Sequence, residues 1–185
     1  MNKNFTSLPP KGEIYFLSAT VVRQIPVFNK DEYRQIIIDS LQFCQEKKGL
    51  NVHAWVIMPE EVSLIVSGHG DKPLGYVMRD FKSFTSKTVK ELLYKNVDRT
   101  KADWLPFLLE REGKYNSRNN EFQLWRQDGS NPVLLNTDSL FERALTFLHL
   151  KPVVAGFVIQ PEYWKWSSAA DYLGDTGLLR NLILK

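Results

Sequence analysis

The chain has 185 residues, 43% of them hydrophobic, and a formal net charge of +3, which provides enough apolar material for one domain with a buried core. Its single cysteine, Cys44, excludes an intrachain disulfide framework and is typical of a reducing compartment, so we expect a cytoplasmic protein. The sequence predicts no signal peptide, because no apolar run follows the N-terminal lysines. It also predicts no membrane span, because no uncharged apolar stretch approaches about 18 residues. The mild positive charge permits a polyanionic partner without requiring one.

The first half of the chain predicts a strand, a helix and a β-hairpin after a loose, flexible arm at residues 1–12. These elements are predicted at residues 14–22 (strand), 32–48 (helix), and 52–58 and 62–67 (the two strands of the hairpin). Asp31 is a candidate N-cap of the helix, and Gly49 supplies its C-terminal stop. Cys44 lies among the apolar positions of this helix, which favours a place in the core over a role as a nucleophile.

The second half predicts two longer helices separated by a poorly patterned region. Its elements are predicted at residues 74–95 (helix), 105–109 (short helix or apolar insert), 112–120 (polar loop), 122–126 (strand) and 139–149 (helix). The apolar side of the first helix is formed by Leu74, Val77, Met78, Phe81, Phe84, Thr85, Thr88, Leu92 and Leu93. Thr137 or Asp138 caps the last helix, and Pro152 and Gly156 end it. A tryptophan-rich tail, with Trp164 and Trp166, is expected to pack as a C-terminal turn.

The order of these elements predicts an α+β fold. The order is strand, helix, strand, strand, helix, strand, helix, which suggests the ferredoxin-like split βαβ plan. We predict one antiparallel sheet with its helices packed on one face. We therefore predict a single domain at residues 13–185, which includes a C-terminal extension. The plan hosts many functions, so the function has to be argued from individual side chains.

Five sequence blocks carry a resemblance to a known family. They are residues 52–59 (VHAWVIMP), 78–87 (MRDFKSFTSK), 124–126 (LWR), 147–156 (FLHLKPVVAG) and 166–169 (WSSA). In this order and spacing, the chain resembles the REP-associated tyrosine transposases and related insertion-sequence single-tyrosine HUH transposases over nearly its whole length. The resemblance implies phosphoryl transfer on single-stranded DNA by a homodimer that recognises a DNA hairpin. It also implies that two histidines on one strand hold a divalent metal, Mg²⁺ or Mn²⁺, while a tyrosine on the last helix attacks the phosphate.

The four catalytic positions that the resemblance implies are all changed in this chain. Glu61 and Ser63 stand in place of the two histidines, Phe147 stands in place of the tyrosine, and Lys151 replaces a polar metal ligand four residues later. Phenylalanine has no hydroxyl, and a lysine ammonium donates hydrogen bonds but repels a divalent cation. We therefore expect no cofactor and no strand cleavage. Glu61 is interpreted as a solvated or ion-paired carboxylate, and the opposite charges of Glu61 and Lys151 suggest an ion pair across the former metal pocket.

DNA binding is the activity that can persist without those catalytic residues. The candidate DNA contacts are Arg79, Lys82, Ser83, Ser86, Lys87 and Lys90 on the helix predicted at residues 74–95, Trp125 and Arg126 on the following strand, and Arg23 after the first strand. Cations and hydroxyls on one helix face suit phosphate contacts, although an ordinary solvated face gives the same pattern. Trp125 and Arg126 suit contacts to a base and a phosphate, with a core tryptophan as the alternative.

Three functions stay open from the sequence. The favoured one is a DNA-binding protein of the transposase family that recognises single-stranded or hairpin DNA and lacks the cleavage reaction. The second is an active transposase with unusual ligands, and the third is a protein-interaction module that keeps only the fold. The three histidines, His53, His69 and His149, are interpreted as structural or surface residues, so they supply no replacement metal site.

Overall fold

The computed structural model describes residues 12–95, 104–116, 121–127 and 131–185, so most of the arm predicted at residues 1–12 lies outside the described part. The regular elements are β1 (Ile14–Thr20), α1 (Asp31–Lys48), β2 (Leu50–Met58), β3 (Glu61–Gly68), α2 (Leu74–Lys95), α3 (Trp104–Lys114), β4 (Val133–Leu134) and α4 (Asp138–Val154). The strands form one sheet in the order β2-β3-β1-β4, and every neighbouring pair is antiparallel. This order confirms the predicted α+β fold of the ferredoxin-like type.

Helices cover both faces of the sheet. On one face, Leu64 packs in a core with Ile37 of α1 and Phe81 of α2. On the other face, Ile65 packs in a second core with Leu148 of α4. The prediction that the helices pack on one face is therefore wrong for α4. The reason lies in β2 and β3, because their central residues are buried on both faces and need cover on both sides.

The two ends of α1 are held in different ways. Lys30 occupies the N-cap position without a side-chain cap, so Asp31 is not the cap that the sequence predicts. The Asp31 carboxylate instead accepts a hydrogen bond from Arg34 at 3.0 Å in the first turn. At the other end, Gly49 has a φ of 70°, and its backbone lies so close to Gly70 that a Cβ would clash. The predicted glycine stop is confirmed, and it also joins α1 to the loop after β3.

Residues 122–126 are not the fourth strand of the sheet, contrary to the sequence prediction. The Arg126 N–H donates to the Thr20 carbonyl at 2.9 Å, and an isolated bridge pairs Trp125 with Val21. The segment thus pairs with the chain at and beyond the end of β1, where too few ladder bonds form for a regular strand. The fourth strand of the sheet is β4, which pairs with Tyr15 and Phe16 near the start of β1.

α2 has the bounds that the sequence predicts, whereas α3 and α4 are longer. α3 covers the apolar residues 105–109 and continues to Lys114, into the predicted polar loop, whose residues 117–120 lie outside the described part. α4 is capped by Thr137, whose Oγ1 accepts from the Leu140 N–H at 3.2 Å. Pro152 lies inside α4 rather than ending it, and the helix continues two residues beyond it to Val154.

The tail after α4 is fixed to β2. The Ile57 N–H donates to the Trp166 carbonyl at 2.9 Å, the indole of Trp164 donates to the Ile57 carbonyl at 3.1 Å, and the Ile183 N–H donates to the Val52 carbonyl at 2.9 Å. These contacts place the tryptophan-rich turn against the sheet. In the described part of the chain, no helix has the length and apolar character needed to cross a membrane.

Candidate functional site

The four positions at which the resemblance implies catalysis meet at one place, between the sheet and α4. Glu61 and Ser63 are alternate residues of β3, so both side chains point to the face that α4 covers. Phe147 and Lys151 are four residues apart on α4, which puts them one helical turn apart on the same side. The sequence interpretation of these positions as halves of one site therefore agrees with the geometry.

An ion pair between Glu61 and Lys151 occupies this place, as the sequence suggested. The Lys151 ammonium donates to the Glu61 carboxylate and, at 2.8 Å, to Ser63 Oγ. Ser63 Oγ also lies 2.7 Å from Glu61 Oε1, and Thr20 Oγ1 donates to Glu61 Oε2 at 3.2 Å. Ser18 Oγ lies 2.9 Å from Ser63 Oγ. We call these five residues the lysine–glutamate cluster.

The cluster keeps both of its charges although it is mostly shielded from water. The Lys151 and Glu61 side chains are 18% and 21% exposed. Burial alone raises the pKa of Glu61, but hydrogen bonds from Lys151, Ser63 and Thr20 outweigh that effect and hold the pKa below its ordinary value. The carboxylate is therefore ionised at neutral pH, and it accepts a hydrogen bond from the Lys151 side chain opposite.

Two aromatic rings border the ammonium. The Lys151 Nζ lies 5.1 Å from the centroid of Phe147 and 6.0 Å from that of Phe16. The two rings contact each other edge to face, with centroids 5.9 Å apart. Cation–π attraction adds to the hydrogen bonds, so the ammonium is held by oxygen atoms on one side and by ring faces on the other. Phe147 is nevertheless 58% exposed.

The residues of the cluster do not fit a divalent metal. Glu61 supplies one carboxylate, the other oxygen donors are neutral hydroxyls, and an ammonium group lies among them. Mg²⁺ and Mn²⁺ prefer several oxygen ligands that include carboxylates, and a fixed cation repels them. Within the described ranges, no group of three or more His, Cys, Asp and Glu residues could hold a metal ion.

The contact between Lys151 and Ser63 does not form a nucleophile–base pair either. A lysine that activates a serine has to accept its proton, whereas Lys151 Nζ donates to Ser63 Oγ and to the Glu61 carboxylate. Ser63 is also fully buried, so no substrate carbonyl can reach its hydroxyl. The geometry fits a structural ion pair better than a catalytic one.

Three residues of this site were missed by reasoning from the sequence. Ser18 and Thr20 are paired with Ser63 and Glu61 across the β1–β3 register, and Phe16 is on the same face of β1. Their alternation along β1 is the signal that could have grouped them with one another. The register between two strands that are far apart in sequence is not readable from one chain, so their partners were not predictable.

His53, His149 and Cys44 are structural and His69 is exposed, all within what the sequence suggested. His149 Nε2 lies 2.8 Å from Ser168 Oγ, and burial lowers the pKa of His149 to about 4. His53 bonds to Ser67 Oγ at 2.9 Å. His69 is exposed. Cys44 is buried in the core, and burial raises the pKa of its thiol to about 11, which removes the thiolate that a nucleophile needs.

The exposed side of α2 carries cations, hydroxyls and aromatic rings together. We call this side the α2 face; its residues are Tyr76, Arg79, Ser83, Lys87, Lys90 and Tyr94. Arg79 lies over the ring of Tyr76, at 4.9 Å from the centroid, and Lys90 lies 6.0 Å from that of Tyr94. The tyrosines were not predicted as part of this face, although spacings of seven, four and seven residues align Tyr76, Ser83, Lys87 and Tyr94.

Carboxylates compensate part of the charge of the α2 face. Lys87 lies 3.9 Å from Glu91, and Lys90 lies 3.2 Å from Glu121. Arg79 lies 3.5 Å from Asp80. These pairs are exposed, and exposed ion pairs are weak and screened by salt, so the cations can exchange a carboxylate for a phosphate.

Phe84 and Lys82 do not lie on the sides of α2 that the sequence predicts for them. Phe84 was predicted on the apolar side but is 57% exposed, because the buried row runs through Phe81, Thr85 and Val89 and Phe84 lies at its edge. Lys82 is only partly exposed, and burial lowers its pKa. Both residues lie beside the α2 face rather than within it, and so does the partly exposed Ser86.

Trp125 belongs to the core, which corrects its assignment as a DNA contact. Its ring packs against Phe28 and Phe81, with centroids 5.5 Å and 6.5 Å apart. Its indole N–H donates to Thr85 Oγ1 at 3.0 Å. A base cannot stack on a ring that is covered on both sides, so the alternative of a core tryptophan is the one that the geometry supports.

Arg23 and Arg126 lie at a polar groove away from the α2 face. Arg23 Nε lies 2.7 Å from Glu112 Oε1, and the Glu112 carboxylate raises the pKa of the guanidinium. The groove has a volume of about 780 Å³ and lies between the turn after β1, the end of α3 and residues 121–127. Both arginines are predicted as DNA contacts, but nothing in the sequence indicates that they lie at the same groove.

Two comparisons with known proteins found nothing and a third found solved structures. No protein-family model matches the chain, and no curated protein matches it. A REP-associated tyrosine transposase bound to a REP hairpin matches with a TM-score of 0.61 and 15% identity, over 94% of this chain and 84% of that chain. The chain has the fold of a REP-associated tyrosine transposase. A Deinococcus radiodurans protein described as a transposase matches with a TM-score of 0.46 and 14% identity, over 80% of this chain and 94% of that one.

This transposase fold gives the four substituted positions their common location. β3 and α4 face each other across the second core, and the lysine–glutamate cluster lies at their contact. At 15% identity, the likeness establishes the fold, and the chemistry of this chain has to be argued from its own side chains.

Proposed function

We propose that this protein binds single-stranded or hairpin DNA through the α2 face and does not cleave it. The observation that carries the proposal is the Lys151 ammonium, which is bonded to Glu61 and Ser63 at the place where the resemblance implies a metal. The transposase of the same fold was solved with a REP hairpin bound, which supports DNA as the partner.

The chemistry of the side chains at the site supports the proposed absence of cleavage. Phe147 stands at the implied position of the nucleophile, and its ring offers no oxygen to attack a phosphate. The cation already in the site is a lysine, which compensates the charge of Glu61 and, unlike a metal ion, has no coordination shell that could bind and polarise a phosphate oxygen. Binding and cleavage are therefore separable in this chain, because the α2 face lies outside the cluster.

The α2 face suits a phosphate backbone in charge and in length. From Tyr76 to Tyr94 a helix rises about 27 Å at 1.5 Å per residue, which is the length of roughly eight base pairs. Arginine and lysine side chains along it provide the sequence-independent attraction, and the tyrosines add ring surface for unpaired bases. We further propose that the protein acts as a homodimer, which the sequence resemblance suggests.

A gel-shift experiment with labelled hairpin DNA in Mn²⁺ tests this function. We expect a shift that weakens steeply as salt rises, because each neutralised phosphate contributes about −0.9 to the slope of log K against log salt. We also expect no covalent protein–DNA species on a denaturing gel. A covalent species would establish the active transposase instead, and the absence of any shift with hairpins or single strands would favour the protein-interaction module.

The proposed dimer is tested separately by sedimentation equilibrium of the protein with and without the hairpin. We expect a mass of two chains, and a single-chain mass in both samples would contradict the proposal while leaving DNA binding intact.

A further inference from the structure

The polar groove has a lining unlike that of a small-molecule pocket. Its sides carry two arginines, amide side chains and one aromatic ring, contributed by three separate parts of the chain. These lining residues include Arg23, Gln24, Tyr115, Asn116, Arg126 and Gln127. Arginines suit phosphates, amides suit the mixed donors and acceptors of base edges, and a ring suits the face of a base.

The backbone holds one side of the groove in an uncommon conformation. Arg23 and Gln24 have φ values of 51° and 54°, and two consecutive residues other than glycine in the left-handed region are costly. Hydrogen bonds keep them there: the Gln24 N–H donates to the Val21 carbonyl at 3.0 Å and the Val22 N–H donates to the Leu124 carbonyl at 2.8 Å. The turn thus presents two exposed polar side chains at the groove at a conformational cost.

The floor of the groove is rigid and its one carboxylate is compensated. Gly113 packs directly on the backbone of Phe122, where a Cβ would clash. Glu112 is buried, and its Oε1 lies 2.7 Å from Arg23 Nε and 3.7 Å from Arg111. The pair with Arg23 uses Nε and leaves the terminal amino groups of the guanidinium for another acceptor. The groove therefore attracts an anion despite containing Glu112.

The polar side chains divide into those that are fixed and those that face solvent. Gln123 is buried, and it accepts from Asn116 Nδ2 at 2.9 Å and donates to the Trp125 carbonyl at 3.1 Å. Gln24 and Gln127 are exposed, and each offers an amide donor and an acceptor. The ring of Tyr115 is 79% exposed, which is a large apolar surface to leave in water beside two cations.

We propose that this groove binds an unpaired nucleotide of a single strand, separately from the α2 face. The base stacks on Tyr115, Gln24 and Gln127 bond its edge, and Arg23 and Arg126 contact the flanking phosphates. The inference rests on the proposed DNA-binding function and adds a second contact to it. Residues 121–127 connect the two surfaces, because Glu121 contacts Lys90 of α2 at 3.2 Å while Arg126 and Gln127 line the groove.

Photo-crosslinking identifies the residue that contacts the base. A single strand of about twelve nucleotides with 5-iodouracil at each position in turn is irradiated with the protein, and the modified peptide is identified by mass spectrometry. We expect the crosslink at Tyr115. Crosslinks confined to the α2 face would overturn the groove as a nucleotide site while leaving the proposed function in place.

Affinity measurements with two probes separate the groove from the α2 face. We expect Tyr115→Ala to weaken binding of the single strand about tenfold, from the loss of one stacking contact, and Tyr115→Phe to keep it. Binding of a fully paired hairpin with a short closed loop should change less than twofold in both variants. Equal losses for both probes, or no loss for either, contradict the inference, and a protein that binds neither probe contradicts the proposed function itself.

Discussion

The lysine–glutamate cluster and the α2 face differ in how far their charged groups are exposed to water and how strongly those groups are paired. In the cluster, the ammonium and the carboxylate are shielded from water and bonded to each other and to hydroxyls. On the α2 face, Arg79 and Lys87 are exposed and Lys90 is partly exposed, and water also reaches their carboxylate partners. A charge that is fully bonded within the protein is unavailable to a ligand, whereas an exposed and weakly paired charge can be transferred to one. This contrast separates the structural role of Lys151 from the binding role proposed for Arg79.

The largest expected effect comes from restoring metal ligands to the cluster. In Glu61→His/Ser63→His/Lys151→Gln, two imidazoles and an amide oxygen would converge where the ion pair now lies, and we expect Mn²⁺ to bind. A dissociation constant of about 1 µM corresponds to about 8 kcal/mol of binding free energy. Isothermal titration calorimetry measures it, with the unchanged protein and Lys151→Gln as controls. If the unchanged protein bound Mn²⁺ with similar affinity, the conclusion that the cluster does not fit a divalent metal would be wrong.

Breaking the ion pair from one side should be the next largest effect. Lys151→Met leaves the Glu61 carboxylate shielded from water with only hydroxyl partners, which we expect to lower the free energy of unfolding by about 3 to 4 kcal/mol. Urea unfolding at pH 7 measures it. Glu61→Gln/Lys151→Met removes both charges and should recover most of the loss. A double variant that is no more stable than the single one would show that packing, rather than the unpaired charge, causes the destabilisation.

Acid should destabilise the protein in a pH range that belongs to His149. Burial lowers its pKa from 6.5 to about 4, so the unfolded state takes up a proton before the folded state does. The stabilisation is complete above pH 6.5 and is lost as the pH falls from 6.5 to about 4, by about 3 kcal/mol in total. Unfolding free energies measured at several pH values should fall over this range, and His149→Gln should flatten the curve. The pKa of Glu61 is also lowered, from an ordinary value of 4.5. The stabilisation from this carboxylate is complete above pH 4.5 and is lost only as the pH falls below that value.

The contrast between the two regions also explains how much the sequence could predict. Glu61, Ser63, Phe147 and Lys151 were grouped through the family resemblance, and strand alternation and helical spacing explain why each pair shares a face. Ser18 and Thr20 were missed, since their place in the cluster depends on the β1–β3 register. The same limit applies to Trp125, whose burial depends on the packing of a segment past the end of β1 against α2.

The second face of the sheet is the other feature that the sequence did not predict. Residues 52–58 and 62–67 read as strands of one buried hairpin, and a continuous apolar run is compatible with burial on one face or on both. α4 had to be assigned to a face, and its hydrophobic residues do not indicate which. Only tertiary packing distinguishes the two arrangements, yet it is α4 on the second face that brings Lys151 to Glu61.

The smallest expected effects are on the α2 face, where each cation contributes separately. Arg79→Ala should weaken hairpin binding about fivefold, because one phosphate loses its partner. The slope of log K against log salt should become shallower by about 0.9, the contribution of one phosphate contact. Arg143→Ala is the matched control, since Arg143 is an exposed arginine of α4, on the other face of the sheet from α2. Fluorescence anisotropy over a range of salt concentrations gives both the affinity and the slope. Equal losses of affinity for the two variants would mean that the net charge of the protein alone attracts the DNA. That result would contradict the proposal that the α2 face is the binding surface.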